Sequence, residues 1–275
     1  MKAIEATAAV AGGKMQIVLQ GVPFTVAADR PEAAKFWRKA NSGRWEADTF
    51  EFISRHAGAD LTFVDIGAWI GPMTIYASKH AGRVIALEPD PVAHKDLVEN
   101  VRLNGGNVDI WHVGVDNIEG KLTLYAAAGL GQSTSSAVKV GGAEEINIPV
   151  VTFDQLSERV GDAKRVIVKI DIEGHEFTVA DKLIAFAKRH NAPMHLSVHP
   201  RILYDNAKGT LSKLAARRKI HRQTKTLIDK LRAIGTLTDT ETGRPMTDFT
   251  LWQFIFPRTR VHNFTLEVVP HGPRA

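Results

Sequence analysis

Three acids and a histidine fall within six residues at Asp171-Ile172-Glu173-Gly174-His175-Glu176, directly after the apolar run Arg165-Val166-Ile167-Val168-Lys169-Ile170. Such a run reads as a buried strand, and in open α/β sheets ligands bind at the C-terminal ends of strands. Groups of this kind can take up or hold a proton. The same acids would also suit the start of a helix, where the dipole favours negative charge, and a capping acid can be catalytic as well. A second constellation follows the strand-like Thr62-Phe63-Val64, where Asp65-Ile66-Gly67-Ala68-Trp69-Ile70-Gly71 has the spacing D-x-G-x-x-x-G. This is neither the dinucleotide fingerprint nor the phosphate loop. Gly67 and Gly71 let backbone approach a ligand, and the following Pro72-Met73-Thr74-Ile75-Tyr76-Ala77 starts a helix with free amides. The acid can accept from an ammonium while the amides donate to a carboxylate, which suits a ligand with an amino-acid end. A third acid, Glu88, closes the run Arg83-Val84-Ile85-Ala86-Leu87 about 20 residues after the glycines, where a carboxylate takes both hydroxyls of a ribose. S-adenosyl-L-methionine carries all of these groups.

The elements that must position these residues follow in order. Lys14 to Val26 alternates around Gly21 and reads as a hairpin, and residues 31 to 56 carry helix-like clusters that cover one face of the site. Trp45-Glu46 could reach the ligand, but is read in preference as a packed aromatic beside a solvated acid. Pro89-Asp90-Pro91 stops the second strand, and Val92 to Asn104 is an amphipathic helix ending at Gly105-Gly106. Val108 to Val115 is read as a third strand with Asp116 at its end, either meeting an adenine amine or serving as a turn acid. A β-rich insertion follows: Lys121 to Tyr125 pairs with Glu145 to Val151, with the polar loop Gly131-Gln132-Ser133-Thr134-Ser135-Ser136 between them. Thr152-Phe153-Asp154-Gln155-Leu156 starts a short helix. Met194 to Pro200 is read as a strand with His195 and His199 on one face; two histidines alone make no metal site, and no metal is assigned. Thr250 to Phe256 and Phe264 to Val269 are expected as two strands of an antiparallel edge hairpin.

Composition bounds the rest. The 275 residues are 44% hydrophobic, enough for one large core, and contain no cysteine, which excludes disulfides and thiolate metal sites. Met1 to Gly13 has one lysine and a run of alanines broken by Glu5, so no signal peptide is expected, and no window reaches the ~18 apolar residues of a membrane span. A cytoplasmic setting is the expectation. The net charge is +5, yet Arg201 to Gly235 holds ten Lys or Arg against Asp205 and Asp229, a net of +8, so the remainder sums to −3. That segment places Ile220, Leu227, Leu231 and Ile234 on one helical stripe, with Arg218, Arg222, Lys225 and Arg232 opposite.

Taken together, Val64-Asp65-Ile66-Gly67-Ala68 with Gly71, Glu88-Pro89-Asp90-Pro91, Asn117-Ile118-Glu119-Gly120, the Ser133 to Ser136 loop and Val168 to Gly174 resemble the FkbM family of S-adenosylmethionine-dependent methyltransferases, over roughly residues 62 to 180. One departure is Trp69, where the family often carries asparagine. The resemblance implies an α/β class I methyltransferase fold: a Rossmann-like seven-stranded sheet, mostly parallel with an antiparallel edge hairpin and helices on both faces. Residues 1–60 would form an N-terminal hairpin and helical extension, and 61–275 the S-adenosylmethionine-binding domain with a basic helical insertion at 205–235. Asp65, Ile66, Gly67, Ala68, Gly71, Glu88, Pro89 and Asp116 are expected to bind the cofactor. The expected reaction is O-methylation of a glycan, glycolipid or secondary metabolite, whose acceptor can carry an anionic feature met by the basic segment. A nucleic-acid methyltransferase and a non-catalytic nucleotide-binding module on acidic surfaces are the alternatives. No aromatic-interleaved platform accompanies the basic helix, which argues against nucleic acid; a homo-oligomer is compatible. An alcohol needs a proton acceptor as it reacts. His175 is the expected base, Asp171 the group that positions the methionine end, and Glu173 the next candidate.

Overall fold

The computed structural model describes residues 10–139, 142–257 and 260–272. The alanine-rich start on which the signal-peptide expectation mainly rests lies outside them. The N-terminal part contains strands β1 (Val10–Ala11), β2 (Lys14–Leu19) and β3 (Val22–Ala27), then helices α1 (Pro31–Ala40) and α2 (Ala47–Arg55). The glycine turn lies between β4 (Gly58–Ile66) and α3 (Pro72–Ala77), and β5 (Ala81–Leu87), α4 (Pro91–Asn104) and β6 (Val108–Trp111) follow. Next come β7 (Gly114–Asp116), β8 (Gly120–Ala126), β9 (Ser135–Ser136), β10 (Glu144–Thr152) and α5 (Phe153–Val160). The last third runs β11 (Arg165–Ile170), α6 (Glu176–His190), β12 (Met194–Val198), α7 (Pro200–Ala207), α8 (Lys213–Arg232), β13 (Gly235–Asp239), α9 (Asp248–Ile255) and β14 (Phe264–Pro270).

Seven strands form the main sheet in the order β13-β14-β12-β11-β4-β5-β6. The pairs β12/β11, β11/β4, β4/β5 and β5/β6 are parallel, and only β14 runs against its neighbours β12 and β13. This is the class I methyltransferase arrangement that the sequence led us to expect. Successive residues of the central strands enter opposite layers: Val64, Ile66, Val168 and Ile170 join one core with α5, α6 and α8, while Phe63, Val84 and Ile167 join another with the N-terminal elements. Because both faces are covered, β4 and β11 read as continuous apolar runs rather than alternating ones. No helix among the described residues is long and apolar enough to cross a membrane.

Two expectations need correction. The third strand is divided: β6 closes the main sheet, whereas β7 leaves it and pairs in parallel with β10 in a separate four-stranded sheet ordered β7-β10-β8-β9. Residues 250–256 are not a strand. Thr247 caps α9 by accepting from the Thr250 amide at 3.1 Å, and Leu251 and Ile255, four apart, are fully buried on one side of it. The aromatic and β-branched content suggested a strand, but burial follows the helical period. The strand beside β14 is β13 instead.

Candidate active site

A cleft of about 240 Å³ opens at the C-terminal ends of β4, β5 and β11. One wall is the glycine turn. Gly67 has φ +80° and Gly71 φ +89°, and both are demanded by the protein itself: a Cβ on Gly67 would lie 2.0 Å from the Asp171 carbonyl oxygen, and one on Gly71 2.5 Å from Leu97 Cδ1. Close approach is therefore real, but it is to the β11 loop and to α4. Asp65, fully buried, faces inward instead of lining the cleft; its Oδ2 accepts from Thr74 Oγ1 at 2.6 Å and its Oδ1 lies 3.5 Å from Lys169 Nζ. Ile66, Gly67, Ala68, Glu88 and Pro89 do line it. Glu88 accepts from the Trp69 amide at 2.7 Å through Oε2 and from the Asp90 amide at 2.8 Å through Oε1. Burial nevertheless pushes its carboxyl up to about 8.

The opposite wall is an ionic network. Lys169, the cation inside the apolar strand β11, is buried and donates to the Gly67 carbonyl at 2.7 Å, with Asp65 and Asp171 beside it. Burial alone would lower its pKa; Asp65, Asp171 and Glu46 outweigh that and raise it. Glu173 takes a left-handed backbone at φ +49°, a strained conformation for a side chain of its kind. Burial raises its carboxyl to about 7, against the pull of His199. The imidazole of His199 is ringed: Nε2 is 3.3 Å from Asp171 and 3.6 Å from Glu173, and Nδ1 is 3.4 Å from Glu176. Burial would depress it, but these carboxylates lift it to about 10. Glu176 fixes the arrangement by accepting from the His199 amide at 2.6 Å and the Gly174 amide at 2.8 Å. The ligand atoms of Asp171, Glu173 and His199 lie within 4.8 Å of one another and could hold a cation; they face one another as an ion-paired set, although Asp171 Oδ1 and His199 Nδ1 are buried with no hydrogen-bond partner among the described residues.

The roof comes from elsewhere in the chain. Asp90 caps α4 through Oδ1, which accepts from the Val92 and Ala93 amides, and through Oδ2 it accepts from the Gly131 amide at 2.7 Å and Ser135 Oγ at 3.0 Å. The serine-rich loop is thereby tied over the cleft, where Ser133 and Ser135 line it. Trp69, at φ +51°, donates from its indole to the Gly131 carbonyl and packs against Phe36, which in turn meets Trp45 edge-on. Glu46 completes the mouth in a left-handed conformation at φ +42°. It is not the solvated acid expected. Burial, then the charge of Asp171, raises its carboxyl to about 7, and its side chain is met at 3.4 Å by Thr49 Oγ1.

Of the expected base candidates, Asp171, Glu173 and His175 all line the cleft. His175 points its Nε2 at Asp116 Oδ1, 3.4 Å away, and Asp116 stands behind the lining at the end of β7. His195 is apart from this group, 3.4 Å from Asp48 and packed on Phe52. Sequence reading missed Lys169, His199 and the loop-holding Asp90. A lysine flanked by the apolar residues Val168 and Ile170, inside the most apolar strand, was the available signal for the first.

Among curated proteins, the hexuronic acid methyltransferase AglP of Haloferax volcanii is 29% identical over 136 residues, half of this chain and 55% of that protein, so the chain spans about half the length of the relative it matches. Among solved structures, a methyltransferase FkbM from Methylobacillus flagellatus aligns at 18% identity and TM-score 0.35, over 50% of this chain and 32% of that one. A tRNA (uracil-54, C5)-methyltransferase of Pyrococcus abyssi aligns at 11% identity and TM-score 0.45, over 94% of this chain and 44% of that one. The methyltransferase FkbM domain profile matches residues 65–212, more than half of the chain, and on that evidence the chain belongs to the FkbM methyltransferase family.

Proposed function

We propose that this methyltransferase uses S-adenosyl-L-methionine to methylate a hydroxyl of a sugar-containing acceptor, with Glu46 accepting the proton. The observation that carries the cofactor reading is Glu88: a buried carboxyl at the cleft wall whose pKa of about 8 would fall once two ligand hydroxyls donate to it. The residues fit, since Gly67 and Ala68 line the cleft beside Glu88 with no side chain larger than a methyl group. The bound cofactor supplies a methyl group on a sulfonium, activated towards an oxygen nucleophile. Ile66, Gly67, Ala68 and Pro89 would hold it with Glu88, and Lys169 keeps the Gly67 carbonyl and Asp171 in register beneath it. For the acceptor, the name of the curated relative favours a sugar acid. The aromatic group Phe36, Trp45 and Trp69 offers apolar faces to a sugar ring, and Lys39 at the mouth offers a cation to a carboxylate.

A general base works best with a pKa near the operating pH. Glu46 and Glu173 are both raised to about 7, but Glu173 is ion-paired with His199, whereas the hydrogen bond that Glu46 makes among the described residues is from the Thr49 hydroxyl, with the charges of Asp171 and Lys169 acting from farther off. His175, paired with Asp116, is the less favoured of the three. The rate should therefore rise with pH through about 7, as Glu46 loses its proton. Glu46→Gln is expected to lower kcat by ~10²-fold, to leave S-adenosylmethionine affinity nearly unchanged and to remove that acid limb. Near-full kcat in Glu46→Gln, with loss in His175→Ala, would return the role to the histidine. A radiolabelled methyl-transfer screen across uronic-acid glycans, lipid-linked sugars and RNA tests the acceptor class, and labelling of RNA alone would reject it. The proposal includes a cytoplasmic setting, which cell fractionation checks.

A further inference from the structure

At the C-terminal edge of the matched family domain, the corner between α7 and α8 holds a second cavity of about 330 Å³, lined from both sides of that edge. Five cationic side chains line it, Arg201, Lys208, Lys213, Arg217 and Arg260, against the single carboxylate Asp205. The ring of Tyr204, only 9% exposed, forms its floor, with Lys208 Nζ 5.7 Å and the Arg217 guanidinium 5.9 Å from the ring centroid. The ring therefore draws both cations over it. Asp205 draws in Arg201 at 3.6 Å and pairs with Lys208. Arg217 donates to the Pro257 carbonyl at 2.7 Å, yet its Nε is buried with no hydrogen-bond partner among the described residues. Among those residues, Lys213, Arg217 and Arg260 have no carboxylate within ion-pair distance.

The C-terminal part of α8 is different. Lys225 pairs with Asp229 and Asp248, Lys230 with Asp181, and Arg232 with Asp229 and Asp248. The strong positive charge of residues 201–235 is thus neutralised at the C-terminal end of α8; among the described residues it is without carboxylate partners on the exposed Arg218, Lys219 and Arg222, and only at this corner is it gathered into a cavity. Like charges focused in a concavity repel one another unless a counter-ion joins them. We propose that the cavity binds the diphosphate group through which a sugar acceptor is carried. The lining has a net of four positive charges. A uronate carboxylate would bring one negative charge, whereas a phosphate monoester brings about −1.5 to −2 and a diphosphate more, in a form that arginine forks grip bidentately. Position agrees. The helix α7 begins at Pro200, immediately after His199 of the cleft network, and Lys208 lies only about 14 Å along it. An oligosaccharide with its terminal sugar in the cleft and its linking anion in the cavity can bridge that distance, whereas a single sugar joined directly to a diphosphate cannot. This role for the cavity rests on the proposed sugar acceptor; the anion binding itself does not.

The test is calorimetric titration of the full chain with inorganic pyrophosphate at low salt, beside glucuronate as the single-charge control. Pyrophosphate should bind, weaken steeply as salt rises and exceed glucuronate at least tenfold. Lys213→Gln with Arg260→Gln, both at exposed positions where the fold tolerates change, should cost at least tenfold in pyrophosphate affinity while circular dichroism stays unchanged. Geranyl diphosphate and uridine diphosphate distinguish lipid-borne from nucleotide-borne sources, and tighter binding of either supports the site and names its source. Absence of pyrophosphate binding, equal binding of glucuronate, or an unaffected double variant would overturn it. S-adenosylmethionine is titrated into the same samples. Cofactor binding without pyrophosphate binding removes only this site, while the reverse removes the methyl-transfer reading and leaves the anion site standing.

Discussion

Glu88 shows how one buried carboxyl links the site to the stability of the chain. Its folded pKa is about 8, against 4.5 for an ordinary glutamic acid, because burial penalises the charged form. Between those values the folded chain holds more protons than the unfolded one, so stability falls as pH rises from 4.5 to about 8 and levels off above. Glu46 and Glu173, both raised to about 7, act in the same direction. Thermal melts from pH 5 to 8 should show a declining midpoint, and Glu88→Gln should flatten part of that decline; an unchanged slope would mean that the carboxyl is already ionised in the empty cleft. Gly67 makes a separate case. The spacing of the glycines marked the turn correctly, but the contact that forbids a Cβ is the Asp171 carbonyl, which belongs to the loop after β11, about a hundred residues away, and is invisible to local pattern. Gly67→Ala combines an unfavourable φ with that clash and is expected to cost about 1–3 kcal/mol or more in urea unfolding.

At the scale of elements, patterning was legible wherever periodicity and chain stops agreed. The hairpin β2–β3, helix α4 between Pro91 and Gly105, and helix α5 with its Thr152–Gln155 capping box all follow their sequence signals. The errors fell where short apolar runs fit two periods, as in α9, and where a strand changes sheets without a break in composition, as at Trp111-His112-Val113-Gly114. The least legible feature was the hold of Asp90 on the serine-rich loop, since an acid between two prolines reads locally as the stop of a strand and nothing more. Asp90 caps α4, and it also binds Gly131 and Ser135. Asp90→Ala removes both functions. The cap alone is worth about 1 kcal/mol. The loop should open more often, and hydrogen–deuterium exchange at residues 129–138 should quicken while β4 and β11 keep their protection. Unaltered exchange in the loop would show that Trp69, through its indole bond to Gly131, holds it unaided.

The whole molecule does not divide at residue 60 in its packing. Trp37, Phe50 and Phe52 of the N-terminal helices and Ile17 and Phe24 of the hairpin share one buried cluster with Phe63, Val84 and Ile167 of the main sheet. Hydrogen bonds cross the same boundary: Asn100 of α4, fully buried, accepts from the Ala27 amide at 2.7 Å and donates to the Ile70 carbonyl at 2.7 Å, so a single side chain joins β3 to the glycine turn. Asn104 repeats the stitch at Thr25. A layer that supplies half of one core cannot unfold while the sheet remains, because the exposed apolar face would lose its only cover. We therefore expect one cooperative calorimetric transition for the full chain, and a chain beginning at residue 58 should not fold. Trp37→Ala should cost about 3–5 kcal/mol, the usual range for emptying a buried aromatic site. Asn100→Ala leaves the Ala27 amide and the Ile70 carbonyl unpaired at about 1–3 kcal/mol each, and it should loosen the turn beside the cleft as well. Its cofactor affinity should fall along with its stability, whereas Trp37→Ala, farther from the turn, should lower stability with less effect on affinity. Two separate transitions, with the second retained in the shortened chain, would instead make the N-terminal layer an independent unit.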